Sequence, residues 1–108
     1  MDKKYLIEMC WRYIAYCQSD KQFLNNSRIF EKNAQVTLGR VSDHICKIMA
    51  FIKVFGPEFS IYRRVLFTEL MTDFTSMYHS YSVRYEEFFE QKYALDEDIV
   101  KIIQEVRF

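Results

Sequence analysis

The chain has 108 residues, half of them hydrophobic and 18 % aromatic, with fifteen Lys and Arg balanced by fifteen Asp and Glu. That length suits a single domain over residues 1–108, and so apolar a composition excludes a disordered chain. A formal net charge of zero leaves no overall field to draw the molecule onto nucleic acid or an anionic membrane, so any electrostatic steering has to be local.

Two glycines and one proline supply few of the turns a many-stranded fold requires, so an all-α bundle is expected. Residues 1–18 read as its first helix, with Leu6, Met9, Cys10, Tyr13, Ile14 and Cys17 on one stripe. Tyr5, Ile7, Trp11 and Tyr16 widen the apolar arc until only Lys4, Glu8, Arg12 and Ala15 form a wet face. A helix apolar on most sides is either wedged between two others or has one face covered by a partner; wedging is the expectation, and Tyr5, Ile7 and Trp11 are the candidate self-association face. Ser19 and Asp20 are positioned to cap a new start, and Asn25-Asn26-Ser27 interrupts the weak period that follows, predicting a short helix or an irregular link.

The chain is organised on an antiparallel helical hairpin between Val41 and Tyr81. Asn33 or Thr37 opens its first arm, Gly39 suggests a close helix crossing, and Val41, Ile45, Ile48, Ile52 and Phe55 form the core stripe. Gly56-Pro57 reverses the chain, Gly suiting a left-handed helix end and Pro a helix start. Phe59, Tyr62, Leu66, Leu70, Phe74, Met77 and Tyr81 line the second arm. The run His79-Ser80-Tyr81-Ser82 predicts a kink or break. Beyond it come an amphipathic piece with Val83, Tyr85, Phe88, Phe89 and Tyr93 inward, and a last helix capped by Asp96 with Ile99, Ile102, Ile103 and Val106 inward. Five or six helices result.

Three cysteines, Cys10, Cys17 and Cys46, without a C-x-x-C pair or a preceding secretory signal, predict reduced thiols and a cytoplasmic protein. No apolar run approaches the length that spans a bilayer, so no membrane association is expected. The cysteines and histidines are not spaced as metal ligands, and no Gly-rich phosphate loop, G-x-S-x-G or H-E-x-x-H occurs; neither a metal, a cofactor nor an enzymatic activity is expected. The carboxylate pairs Glu69 with Asp73 and Glu86 with Glu90 flank the apolar stripes, as solvated residues do. Arg63 and Arg64, with Lys47, Lys53 and Tyr62, make at most a small basic patch, too sparse for a nucleic-acid-binding stripe.

One pair has catalytic spacing. Arg40 and His44 lie four apart on the central helix with Asp43 beside them, so together they could hold a phosphate and move a proton. The pair resembles the Arg-x4-6-His motif of HEPN-type ribonucleases, which are themselves all-helical. Three intervening residues, and an apolar Val41 directly after the arginine, depart from that pattern. A small ribonuclease using Arg40 and His44 is the enzymatic alternative.

Charge is unevenly placed. Residues 1–64 carry eleven basic and six acidic side chains, and residues 65–108 carry four and nine. The acidic group Glu86, Glu87, Glu90, Asp96, Glu97 and Asp98 is interleaved with Tyr85, Phe88, Phe89 and Tyr93, a pattern suited to gripping a basic protein. Phe, Tyr, Met, Ile, Asn and Lys total 44 residues against 14 for Gly, Ala, Arg and Pro, which points to AT-rich coding and suits a horizontally acquired bacterial locus, a phage or large DNA virus, or simply an AT-rich genome. The function expected is a small inhibitor that masks a partner protein, most concretely an immunity protein or antitoxin against a basic nuclease toxin. Its contacts would be Tyr85, Glu86, Glu87, Phe89, Glu90, Tyr93, Asp96, Glu97 and Asp98. A phage or viral antagonist of a host protein and a homo-oligomeric helical scaffold are the other binding alternatives.

Overall fold

The computed structural model describes residues 3–89 and positions 97 and 101, all of the latter two being helical. Among the described residues the protein is all-α, with four α-helices: α1 (Lys3–Leu24), α2 (Ser27–Lys32), α3 (Ala34–Phe55) and α4 (Ile61–Phe89), and a 3-10 turn (Gly56–Glu58) between the last two. The expected final helix after Asp96 lies outside the described residues, apart from Glu97 and Lys101.

Helix α1 runs past the expected boundary. Ser19 and Asp20 cap nothing; they sit within its last turns, because Asp20 is turned into the core, where α3 supplies it with donors. The break falls instead at Asn25 and Asn26. Asn26 caps α2 by accepting from the Arg28 amide, and Asn33 caps α3 by accepting from the Val36 amide. Each asparagine satisfies one amide that a helix start leaves without an intrahelical partner.

Helices α3 and α4 pack antiparallel. Gln35 meets Tyr85, His44 stacks on Phe74, and Phe51 stacks on Phe67, so positions advance along one arm as they recede along the other. Gly56 does not adopt the left-handed conformation expected of it: its φ of −51° and ψ of −43° are right-handed, and the chain tightens into the 3-10 turn, with Pro57 near its start, before Phe59 becomes extended. Because Phe59 precedes α4, the helix phase cannot be counted from it. Tyr62 therefore lands outside, 64 % exposed, and the buried stripe is Phe67, Leu70, Met71, Phe74, Tyr78, Tyr81 and Tyr85.

The predicted break at residues 79–82 is absent, and α4 is continuous. The serines there do not compete with the helix, since Ser82 Oγ donates back to the His79 carbonyl 2.8 Å away. Packing does the rest. Tyr81 stacks on Phe30 at 4.5 Å, and its hydroxyl donates to the Leu24 carbonyl, one of the groups that the end of α1 leaves without an intrahelical partner. One residue thus ties α4 to both α1 and α2.

Among the described residues helix α1 is not covered on all sides. It buries Cys10, Ile14, Cys17, Asp20 and Leu24 against α3 and α4 and leaves Tyr5, Ile7, Trp11, Tyr16 and Phe23 exposed on its other sides. Gly39 marks no crossing either, because a Cβ built there meets nothing within 4 Å. It is an exposed glycine in a helix interior, and replacing it costs no contact. Gly39→Ala is expected to stabilise the protein by about 0.5–1 kcal/mol, through helix propensity and a less mobile unfolded chain, raising the urea midpoint with an unchanged m-value.

Candidate functional site

Asp20, Arg40 and His44 converge where α1 crosses α3. The Asp20 carboxylate accepts from the Arg40 guanidinium through one oxygen and, through the other, from His44 Nε2 at 2.5 Å. Arg40 and His44 lie one turn apart on α3 and so address the two oxygens of one carboxylate. Asp43, the acid beside them in sequence, faces away and pairs with Lys47 at 2.8 Å.

The rest of the cluster is set by His44. Its ring stacks on Phe74 at 4.7 Å, and its Nδ1 lies 3.4 Å from the Tyr13 hydroxyl and 3.6 Å from Cys17 Sγ. In the tautomer that donates from Nε2 to the carboxylate, Nδ1 accepts, and the Tyr13 hydroxyl and the Cys17 thiol are the donors beside it. Cys17, His44 and Asp20 thus form a thiol–imidazole–carboxylate relay, the order of groups that activates a cysteine nucleophile.

Access and charge decide against that use. His44 is only 3 % exposed and turns both nitrogens onto protein atoms, while Cys17 is completely buried. Burial pushes the Cys17 thiol up to about 11 and drives the Tyr13 hydroxyl well above its ordinary range. A nucleophilic cysteine needs the opposite shift. The cluster is a satisfied polar core in which neither Arg40 nor His44 is presented to a substrate, and no group of metal-ligating side chains exists among the described residues.

The exposed chemistry lies at the other end of α1. Trp11, 38 % exposed, packs against Tyr62 with ring centres 5.8 Å apart, and the Arg63 guanidinium lies over Trp11 and Phe59 at 5.8 and 6.0 Å. Beside them is a groove of about 420 Å³ walled by Ile7, Cys10, Phe55, Pro57 and Phe59, with Glu58 and Arg63 as its charged groups. Of the candidate self-association residues, Ile7 and Trp11 adjoin this groove, whereas Tyr5 lines a separate small depression with Glu8, Met9 and Arg12. Tyr62 is the residue that sequence reasoning misplaced, as core; of the small basic patch considered around Arg63, Lys47 is paired with Asp43.

The acidic segment is only partly described. Tyr85, expected as an anchor for a partner, is 8 % exposed and is a core residue reached by the Gln35 amide. Glu86, Glu87 and Glu97 are exposed. The side chain of Phe89, together with Glu90, Tyr93, Asp96 and Asp98, lies outside the described residues. Of the paired carboxylates, Asp73 is bound by Lys21 at 2.7 Å and Glu69 is exposed. No described helix is long and apolar enough to cross a membrane. The chain matches no protein-family model, no curated protein and no solved structure.

Two expectations follow from the cluster. Asp20→Ala strands a buried histidine and an arginine without their acceptor and is expected to cost about 3–5 kcal/mol in denaturant unfolding, against less than about 0.5 kcal/mol for Glu8→Ala at an exposed pair. The raised thiol also gives stability a pH dependence. The fold keeps the Cys17 proton that the unfolded chain releases near 9.0, so stability is full below pH 9 and falls as pH rises toward 11. Thermal unfolding from pH 8 to 11 is expected to show this decline, in a shallower form for Cys17→Ala, because Tyr13 contributes in the same sense.

Proposed function

We propose that this protein is a non-catalytic binding protein that masks the working surface of a protein partner. What supports the reading is the exposed aromatic face at the start of α1 and α4. Trp11 and Tyr62 are held against each other, and Trp11 against Arg63, while both remain partly exposed beside a mainly apolar groove, outside the buried core of the described residues. Aromatic residues and arginine supply most of the affinity where proteins meet, because they bury a large area at small cost in side-chain freedom. Folding does not call for this arrangement.

The most concrete form is an immunity protein or antitoxin, with a phage or viral antagonist of a host protein next. Exposed Glu86, Glu87 and Glu97, within a segment carrying six carboxylates, suit a basic target such as a nuclease, for which the acids would speed encounter and the aromatic face would supply affinity.

Tagged protein used as bait in lysate of the source cells tests this. One stoichiometric partner is expected, with Trp11→Ala weakening its binding by about 2 kcal/mol while the circular dichroism spectrum is unchanged. Capture that is indifferent to both Trp11→Ala and Tyr62→Ala would remove the aromatic face from the function, and no partner at all would end the proposal.

A further inference from the structure

We propose that the groove between the end of α1 and the second half of α4 binds a small phosphorylated and hydroxylated ligand of the sugar-phosphate class, with the phosphate on Arg84. The site goes beyond the binding of a protein partner and does not depend on the Trp11 face.

The groove exists because the two helices differ in length. Helix α1 stops at Leu24 and the chain turns away through Asn25 and Asn26 into α2, whereas α4 runs on to Phe89. A hollow of about 470 Å³ is left beside the end of α1, within the range of small-molecule sites. Its walls are polar where a seam between helices would be apolar. Asp73, Ser76, Ser80 and Arg84 recur at helical steps along one side of α4, and Lys21 and Asn25 line the groove from the end of α1.

Arg84 is the first ground for an anion. Its guanidinium lies 5.1 Å from the centre of the Phe30 ring and 5.6 Å from that of Tyr81, yet it makes no ion pair or hydrogen bond with any described residue. Contact with two buried rings holds the cation at the groove wall, so a ligand meets its charge without first ordering a long side chain. Asp73 does not cancel it. Lys21 Nζ already holds the Asp73 carboxylate at 2.7 Å, and Lys21 and Arg84 against Asp73 leave the lining with one net positive charge. The negative end of the α1 dipole is offset as well, because Lys21 lies in the last turn and the Tyr81 hydroxyl and the Asn25 amide occupy the Leu24 and Lys21 carbonyls.

The second ground is the set of neutral groups beside that charge. Ser80 lies one turn from Arg84 and Ser76 one turn further, so their Cβ atoms follow at intervals of about 5–6 Å. Neither hydroxyl bonds back to its own helix, unlike those of Thr75 and Ser82, and the Asn25 side chain is equally uncommitted among the described residues. A phosphate has three strong acceptor oxygens and can accept from Arg84 and Ser80 together. Ser76, Asn25 and the Asp73 oxygen not held by Lys21 are left for ligand hydroxyls, which both donate and accept. Met77 and Tyr81 are the apolar members of the lining, and Tyr81 is 3 % exposed, so a nucleobase or an acyl chain would find little surface to lie on.

Chemical-shift mapping by NMR on the full chain tests the site, with glucose 6-phosphate as the probe and inorganic phosphate and glucose as its two halves. Saturable shifts around Asn25, Ser76, Ser80 and Arg84 are expected, with an affinity more than about tenfold above that for either half. Arg84→Gln should weaken binding by at least about tenfold and Ser80→Ala by about fivefold. Arg64→Gln, about 30 Å back along the same helix, should change nothing. Arg84→Lys keeps the charge but not the fork and should fall between the wild type and Arg84→Gln, a gradation that loss of folding would not produce. The proposal is overturned by the absence of saturable shifts, by shifts that Arg64→Gln weakens as much as Arg84→Gln does, or by equal affinity for inorganic phosphate.

Discussion

The buried carboxylate of Asp20 constrains the rest of the molecule. It sits on the packed side of α1, where its neighbours Cys17 and Leu24 are fully buried, and the fold accommodates it only by bringing Arg40 and His44 to its two oxygens. An unpaired carboxylate at that depth is too costly to keep, so sliding α1 along α3 by one turn is forbidden even where the apolar side chains would tolerate it. Two mainly apolar helices thereby acquire a single register. The same contact orients His44 onto Phe74, which carries the register across to α4.

A thiol, an imidazole and a carboxylate in line are the parts of a nucleophilic centre, and here they form a structural strut. The difference is not in the residues or their order but in the solvent. Desolvation raises the thiol and closes the histidine edge, whereas a working cysteine sits in an electropositive, open place. Lys47, the cation that acts on the thiol, is paired with Asp43, and Arg40 is committed to Asp20 and is itself stacked on Phe23 at 5.1 Å. The spacing that makes Arg40 and His44 resemble a catalytic pair is the spacing needed for two α3 side chains to reach one carboxylate on α1.

Helical class and the α3 core were legible in the sequence because they follow from periodicity: Val41, Ile45 and Ile48 recur at helical steps and are buried. Asn33 as a cap was legible for the same local reason. What was not legible depended on tertiary contacts. The hydroxyl run at 79–82 has poor helix propensity, and tertiary contacts such as Tyr81 gripping Phe30 and the Leu24 carbonyl hold α4 continuous there. Tyr62 was assigned to the wrong face because a loop of unknown phase separates it from Phe59. Asp20 left a usable signal: from Cys10 through Ile14 and Cys17 to Leu24 the buried positions of α1 recur at helical steps, and Asp20 falls on that stripe. A charge inside an apolar stripe demands a partner from another element, and read so it would have pointed to Arg40 and His44 instead of to a helix cap.

The exposed aromatics acquire meaning from the core that lies beside them among the described residues. Trp11 and Tyr62 are among the largest apolar side chains here, yet the bundle closes around Phe30, Phe67 and Phe74 without them. A fold under no other demand would gain by turning the indole inward or replacing it, since surface apolar area of this size invites association. Arg63 sharpens the point, because it sits over Trp11 and Phe59 with Nε out of water and without an acceptor.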